Sequence, residues 1–219
     1  VDSLGRPKAA YYYLRRAWSN QHLCLTDEGL DGLHLHVINE TSQPLGGRVE
    51  VLALKDQHIA VACQSVSLEL APRGRRTLCA DQILGAFYDL NYAYRFGPPK
   101  HDVVIATLFD HEHKVRSEAF YFVEQREPAL LPDAKLEATV TMTGDDAYSL
   151  VLGSDRFLQS VNVNADGFLP DDNYFHLAPA RTKIVRFRPF RTKNARFHGT
   201  VEALNLKRPV MFSAQNSAG

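Results

Sequence analysis

Cysteine is scarce in this sequence, and no two sit in a Cys-x-x-Cys pair. Cys24, Cys63 and Cys79 are the three in 219 residues. An odd count without a Cys-x-x-Cys pair excludes a disulfide framework and a zinc knuckle, and reads as three buried thiols. Long apolar runs are missing too. Nothing approaches the roughly 18 residues that a membrane helix needs, and no basic, apolar leader opens the chain, so neither a membrane span nor a signal peptide is expected. Net charge is also lacking, with 25 basic residues against 25 acidic. The signs are evenly spread, 14 to 16 over residues 1 to 127 and 11 to 9 afterwards. No global field for a nucleic acid exists, and none is expected as a partner. What is present, 45% hydrophobic and 23% charged residues, suits one large soluble domain or two ordinary ones and excludes disorder.

Helical spacing occurs only at the start. Gly5-Arg6-Pro7 places a proline where a first turn accepts one, and Tyr11, Leu14 and Trp18 then share a stripe, with Arg15 and Arg16 suiting the C-terminal dipole. A helix of about three turns is marginal alone in water, so the stripe is expected to lie against the first sandwich or a neighbouring chain.

From Gln21 onward, short alternating runs separated by Gly, Pro, Asn and Asp clusters point to an all-β body. Leu33, Leu35 and Val37 alternate with His34 and His36 before the Asn39 to Gly47 turn, and Val49, Val51 and Ala53 alternate after it. The two runs are expected to pair as a hairpin. Further strands are expected at His58 to Cys63, Val66 to Leu70, Arg76 to Ala80, Asp102 to Phe109 and Ser117 to Glu124. That is an immunoglobulin-like count without the antibody Cys, Trp, Cys spacing. Pro128 and Pro132 interrupt the pattern and mark Arg126 to Ala134 as a stiff connection. Alternation resumes at Leu136 to Thr143, Tyr148 to Leu152, Leu158 to Val163, Tyr174 to Leu177, Lys183 to Phe187, Phe197 to Ala203 and Val210 to Ser213, a second, smaller sandwich. The expected division is a helix over 1–20 and immunoglobulin-like sandwiches over 21–127 and 128–219.

Chemistry-bearing motifs have bland alternatives. Asn39-Glu40 sits among turn residues, Asp145-Asp146 and Asp171-Asp172 lie in loops, and no pair of carboxyls with a glycosidase's spacing is announced. His34-x-His36 and His111-x-His113 lack a third ligand, so they read as a strand's solvent face and a hairpin tip, and no metal or other cofactor is expected. Arg181 to His198 holds seven basic residues. Val185 and Phe187 share one parity there and Arg186 and Arg188 the other, a solvated strand face rather than a nucleic-acid groove. Phe87 to Phe96 packs five aromatics into ten residues. A cross-strand cluster filling the core is the favoured reading, and a sugar platform formed by Tyr88, Tyr92, Tyr94 and Arg95 the alternative. The sequon Asn39-Glu40-Thr41 matters only on a secretory route.

The residues also carry a family resemblance. Gly5-Arg6-Pro7-Lys8 with the Tyr-rich run to Trp18 resembles the final barrel helix of glycoside hydrolase family 2. Gly32 to Thr41 with Pro44-Leu45-Gly46-Gly47 is similar to the opening of the immunoglobulin-like domain after that barrel in β-mannosidases. Asp171-Asp172-Asn173-Tyr174-Phe175-His176-Leu177-Ala178-Pro179 resembles a signature of the terminal mannosidase sandwich.

The resemblance implies a parent that removes terminal β-linked mannose with retention, using two glutamates on a barrel upstream of this chain. No catalytic residue carries over. The chain is then expected to be a non-catalytic C-terminal piece: the end of the barrel helix and two accessory sandwiches bracing the parent's own barrel and the rim of its cleft. The alternative is a carbohydrate-binding module that takes mannose-containing glycans on the Phe87 to Phe96 aromatics. A soluble compartment is expected, cytoplasmic or periplasmic in a bacterium.

Overall fold

The computed structural model describes residues 1–124, 127–144, 147–190 and 196–214. The chain divides into two compact units, one of Arg15–Arg126 and one of Val1–Leu14 with Glu127–Gly219. Each holds an antiparallel β-sandwich, so the fold is all-β with immunoglobulin-like sandwiches following a short N-terminal helix.

The first sandwich comprises β1 (Gln21–Asp27), β2 (Leu33–Asn39), β3 (Leu45–Lys55), β4 (Ile59–Leu70), β5 (Arg75–Cys79), β6 (Val103–Asp110) and β7 (Val115–Phe122). One sheet runs β1-β2-β5 and the other β4-β3-β6-β7. Period-two patterning accounts for the inward faces: Leu33, Leu35 and Val37 are buried while His34 and His36 are only half so. They meet Val49, Val51, Val104, Ala106 and Leu108 of the facing sheet in one core. At the sandwich's margin the Leu23 N–H donates to Ser117 Oγ at 3.0 Å, tying β1 to β7.

The expected hairpin of the Leu33 and Val49 runs does not form. Strand β2 pairs with β1 and β5, and β3 with β4 and β6, so the chain changes sheets between them. Asn39, almost fully buried, makes that corner. Its Nδ2 donates to the carbonyls of Gln43 and Ala71, and its Oδ1 accepts from the backbone N–H and the hydroxyl of Thr41. The Asn-Glu-Thr sequence is therefore a turn staple. Just beyond it, Gly47 sits at φ 155°, where a Cβ would strike the Phe109 carbonyl across the ladder.

Two further expectations change in this unit. The His58 to Cys63 and Val66 to Leu70 runs are one long strand, β4, in which Val61 is the extra residue of a bulge. Cys63 is exposed, and Cys24 and Cys79 are half-buried, so the thiols are not core residues. Strand β4 lies at a sheet edge, and its first half turns few side chains inward.

The second sandwich comprises β8 (Leu136–Gly144), β9 (Ala147–Ser154), β10 (Leu158–Ala165), β11 (Phe168–Pro170), β12 (Phe175–Leu177), β13 (Thr182–Pro189), β14 (His198–Glu202) and β15 (Val210–Ser213). Its sheets run β11-β13-β9-β8 and β12-β10-β14-β15. Phe197 centres the core, stacked on Tyr148 at 4.3 Å and edge-on to Phe168 at 5.0 Å and Phe187 at 5.1 Å. Val185 and Phe187 point inward and Arg186 and Arg188 outward, as parity predicts. The expected Asp145-Asp146 loop and residues 191–195 of the basic stretch lie outside the described residues, as does Arg126 of the connection. Leu131, within that connection, is held to this sandwich by an N–H donated to the Asn205 carbonyl.

The Asp171 to Pro179 signature has a structural reason. Buried Asn173 accepts from the N–H groups of Val163 and Tyr174 through Oδ1 and donates to the Val163 carbonyl and Asn162 Oδ1 through Nδ2. Asp171 accepts the Arg186 N–H, and Asp172 pairs with Lys183 at 2.7 Å.

Helix α1 (Ala9–Ala17) turns a different face inward from the one its spacing predicts. Tyr12 is buried at 2% exposure, whereas Tyr11, Leu14 and Trp18 are exposed, Trp18 at 77%. The Tyr12 ring lies 6.1 Å from that of Tyr174 and its hydroxyl reaches the Pro170 carbonyl at 3.5 Å. Tyr13 meets Ser160 Oγ at 3.1 Å and the edge of His176. Through Tyr12 and Tyr13 the helix is thus fastened to the second sandwich. Tyrosine needs both an apolar body contact and a partner for its hydroxyl, and the second sandwich supplies both.

Candidate binding surface on the first sandwich

Between β5 and β6 the chain makes its longest excursion. Helix α2 (Ala80–Leu84), absent from the sequence expectations, ends at Gly85, whose left-handed φ of 70° lets its N–H donate back to the Asp81 carbonyl. The following stretch to Asp102 has no regular structure, and loops of that length in compact domains are commonly functional.

The loop is pinned from inside. Leu90 is fully buried in the core, and His101, also buried, donates from Nε2 to the Leu90 carbonyl at 2.8 Å. Burial holds the His101 imidazole below its ordinary pKa, and therefore neutral, against the weaker opposing pull of that carbonyl. Asn91 Nδ2 donates to Asp27 Oδ1 and to the Gly29 carbonyl. The Tyr121 hydroxyl donates to the second oxygen of Asp27 at 2.7 Å. Burial alone would raise the Asp27 pKa, but the hydrogen bonds from Asn91, Tyr121 and the Gly29 N–H outweigh it and hold the carboxyl below its usual value. The Tyr121 phenol is pushed far up, by burial first and by its bond to Asp27 second.

A second set of bonds shapes the outer turn. The Asp89 carboxylate accepts the N–H groups of Tyr94 and Arg95 at 3.2 Å. The hydroxyl of Tyr92 donates to the Gly97 carbonyl at 2.7 Å and that of Tyr94 to the Leu30 carbonyl at 3.0 Å. Tyr92 and Arg95 both stand at left-handed φ, 58° and 54°, conformations that non-glycine residues keep only when their surroundings enforce them.

This frame presents aromatic rings to solvent. Phe96 is 76% exposed, Phe87 61% and Tyr94 39%. Tyr94 stacks with Phe96 at 5.8 Å and 21°, and meets Phe87 edge-on at 5.2 Å. The favoured expectation of a cross-strand cluster in the core is thus corrected: the run is a loop, and only its non-aromatic members Leu90 and Asn91 are buried. Of the four candidate contact residues, Tyr88, Tyr94 and Arg95 are exposed, whereas Tyr92 is half-buried with its hydroxyl spent inside the loop. The two most exposed rings, Phe87 and Phe96, are not among those four. The signal was in their flanks, Gly85-Ala86 and Gly97-Pro98-Pro99, which no strand would carry.

The other singled-out residues that are described have structural partners. His36 lies between the hydroxyls of Thr26 and Thr77, at 2.9 and 3.0 Å. The Asp110 to Lys114 tip is a hairpin turn whose Asp110 Oδ1 accepts the N–H groups of Glu112 and Lys114, while His113 accepts from Arg48. Among the described residues, no group of three or more His, Cys, Asp or Glu side chains is placed to hold a metal ion.

Comparison with known proteins agrees with the resemblance read from the sequence. Residues 131–207 match the Ig_mannosidase model, an Ig-fold domain. No curated protein sequence matches. Among solved structures, a β-D-mannosidase from Dictyoglomus thermophilum superposes with a TM-score of 0.71 at 17% identity, covering 91% of this chain and 23% of its own. An exo-chitosanase from Amycolatopsis orientalis gives a TM-score of 0.70 at 14% identity, over 97% of this chain and 28% of its own. The chain thus spans about a quarter of the length of the solved structures it matches.

Proposed function

We propose that this chain is the C-terminal accessory region of a retaining exo-glycosidase acting on terminal β-linked mannose, and that it braces that enzyme's catalytic barrel. The Ig_mannosidase match over residues 131–207 and the likeness to a β-mannosidase and an exo-chitosanase support the setting. The observation that carries the bracing role is the two-faced helix α1. Its Tyr12 and Tyr13 are fastened to the second sandwich, while Tyr11, Leu14 and Trp18 stand in solvent on the other side. Leaving Tyr11 and Leu14 of the helix half exposed, and Trp18 just past its end 77% exposed, forgoes part of the roughly 1.5–3 kcal/mol that full burial of each is worth, a cost that is recovered when a barrel covers them. Retaining hydrolysis needs two carboxyls about 5 Å apart on either side of the bond, and in this reading the barrel holds both. The sandwiches contribute position rather than chemistry.

The test is made on the complete polypeptide. Leu14→Glu should lower its thermal midpoint and its turnover of an aryl β-mannoside together, and should leave the midpoint of the 219-residue chain within a degree. An unchanged full-length midpoint overturns the bracing role. A wild-type enzyme that prefers an aryl β-glucosaminide overturns the mannose assignment.

A further inference from the structure

The loop between α2 and β6 goes beyond bracing. We infer that Phe87, Tyr94 and Phe96 form a stacking platform for one or two pyranose rings of a β-linked hexose chain, with Arg95 and Tyr88 as the exposed polar groups beside it.

Three observations converge on it. The rings are solvent-facing although their backbone is firmly held: Asp89 caps the turn, Tyr94 is tied to Leu30, and the clamp of Asp27, Asn91 and Tyr121 fixes the base. A loop built only to connect two strands would bury such rings or replace them, whereas a binding loop gains from holding them still before the ligand arrives. The left-handed backbone at Tyr92 and Arg95 is a second sign, since such conformations persist where the surroundings impose them and gather at ligand clamps.

Size selects the occupant. At their fractional exposures the three rings present on the order of 350 Å², well under the roughly 800 Å² per partner of a stable protein interface. That area suits a sugar. The C–H faces of a β-linked pyranose are apolar and flat enough to lie on aromatic rings, and its equatorial hydroxyls are left at the rim for a guanidinium or a phenol. Phe87 and Phe96 supply surface without polar tips, which is what stacking uses. The placement revises the candidate set, with Phe87 and Phe96 taking the role expected of Tyr92.

The test uses the 219-residue chain and β-1,4-mannohexaose, read by saturation-transfer NMR and by affinity electrophoresis in a glucomannan gel. Binding is expected, with Phe96→Ala and Phe87→Ala each weakening it at least tenfold, Tyr94→Phe weakening it less, and Leu14→Ala leaving it unchanged. Circular dichroism of each variant separates loss of the ring from loss of the fold. No retardation of wild-type protein overturns the inference. So does retardation that survives Phe96→Ala. In the complete enzyme, hydroxyl-radical oxidation of Phe96 should match that in the isolated chain. Protection there would assign the patch to docking against the enzyme's own barrel and overturn the sugar platform, while leaving the bracing role standing.

Discussion

The phenol of Tyr121 on β7 donates to the carboxylate of Asp27 at the end of β1, across the seam between the two sheets of the first sandwich. Through the other oxygen of Asp27 the bond continues to Asn91, so one aspartate joins both sheets to the root of the aromatic loop.

Tyr121→Phe deletes that bond and keeps the ring. The expected loss is about 1 kcal/mol in urea unfolding of the first unit at pH 7, below the usual range of about 1.5–3 kcal/mol for a hydrogen bond to a charged group because Asp27 is exposed to solvent. The folded-state pKa of Asp27 lies below its unfolded value of about 3.9. Its contribution is therefore complete above that value and is lost as pH falls through the folded pKa. The stability gap between wild type and variant should hold above the unfolded value and close as pH falls through the folded pKa beneath it.

His101 predicts a second pH dependence. Its folded pKa is depressed by burial, so between that value and the unfolded value of about 6.5 the unfolded chain binds more protons and stability rises with pH. His22, depressed by burial in the same way, adds to the slope. His101→Gln, which can still donate to the Leu90 carbonyl, should flatten the stability profile between pH 5 and 7 without abolishing it. An unchanged profile would mean that His101 is not held neutral.

Asn39→Ala removes the corner where the chain changes sheets. It deletes the bonds to the Gln43 and Ala71 carbonyls, which keep the Thr41 hydroxyl and the Gly74 N–H as donors, and takes the acceptor from the Thr41 N–H, so the cost should be roughly 1–3 kcal/mol. Chemical denaturation with fragment-specific amide exchange should place that loss in residues 15–126 and leave the second sandwich's protection intact.

Phe197→Ala should act on the second sandwich alone, at about 3–5 kcal/mol, the usual cost of emptying a buried aromatic site. The ring stacks on Tyr148 and meets Phe168 and Phe187. Amide exchange in β9 and β13 should accelerate most. If protection falls equally in both units, they do not unfold independently.

Parity was the legible part of the sequence. Leu33, Leu35 and Val37, and later Val185 and Phe187, announce their strands and inward faces through period-two alternation, and the structure follows them. Pairing is not local in the same way. Which strand β2 joins depends on the corner that Asn39 makes with Gln43 and Ala71, and the Ala71 contact, 32 residues away, leaves no trace in the alternation. Helix α1 shows the limit for amphipathic residues. Apolar spacing picked Tyr11, Leu14 and Trp18, while Tyr12 was chosen by the Pro170 carbonyl and the Tyr174 ring, partners more than 150 residues away. For the aromatic run, density suggested a core, and the glycines and prolines at its ends were the better guide.

Hydroxyl-radical footprinting of Trp18, the chain's single tryptophan, tests the bracing account most directly. In the 219-residue chain Trp18 stands 77% exposed and should oxidise at a rate near that of free tryptophan. In the complete enzyme, with the barrel seated on the outer face of α1, it should be protected at least tenfold. Equal oxidation in the two would contradict the account, because a helix face that stays wet in the whole enzyme braces nothing.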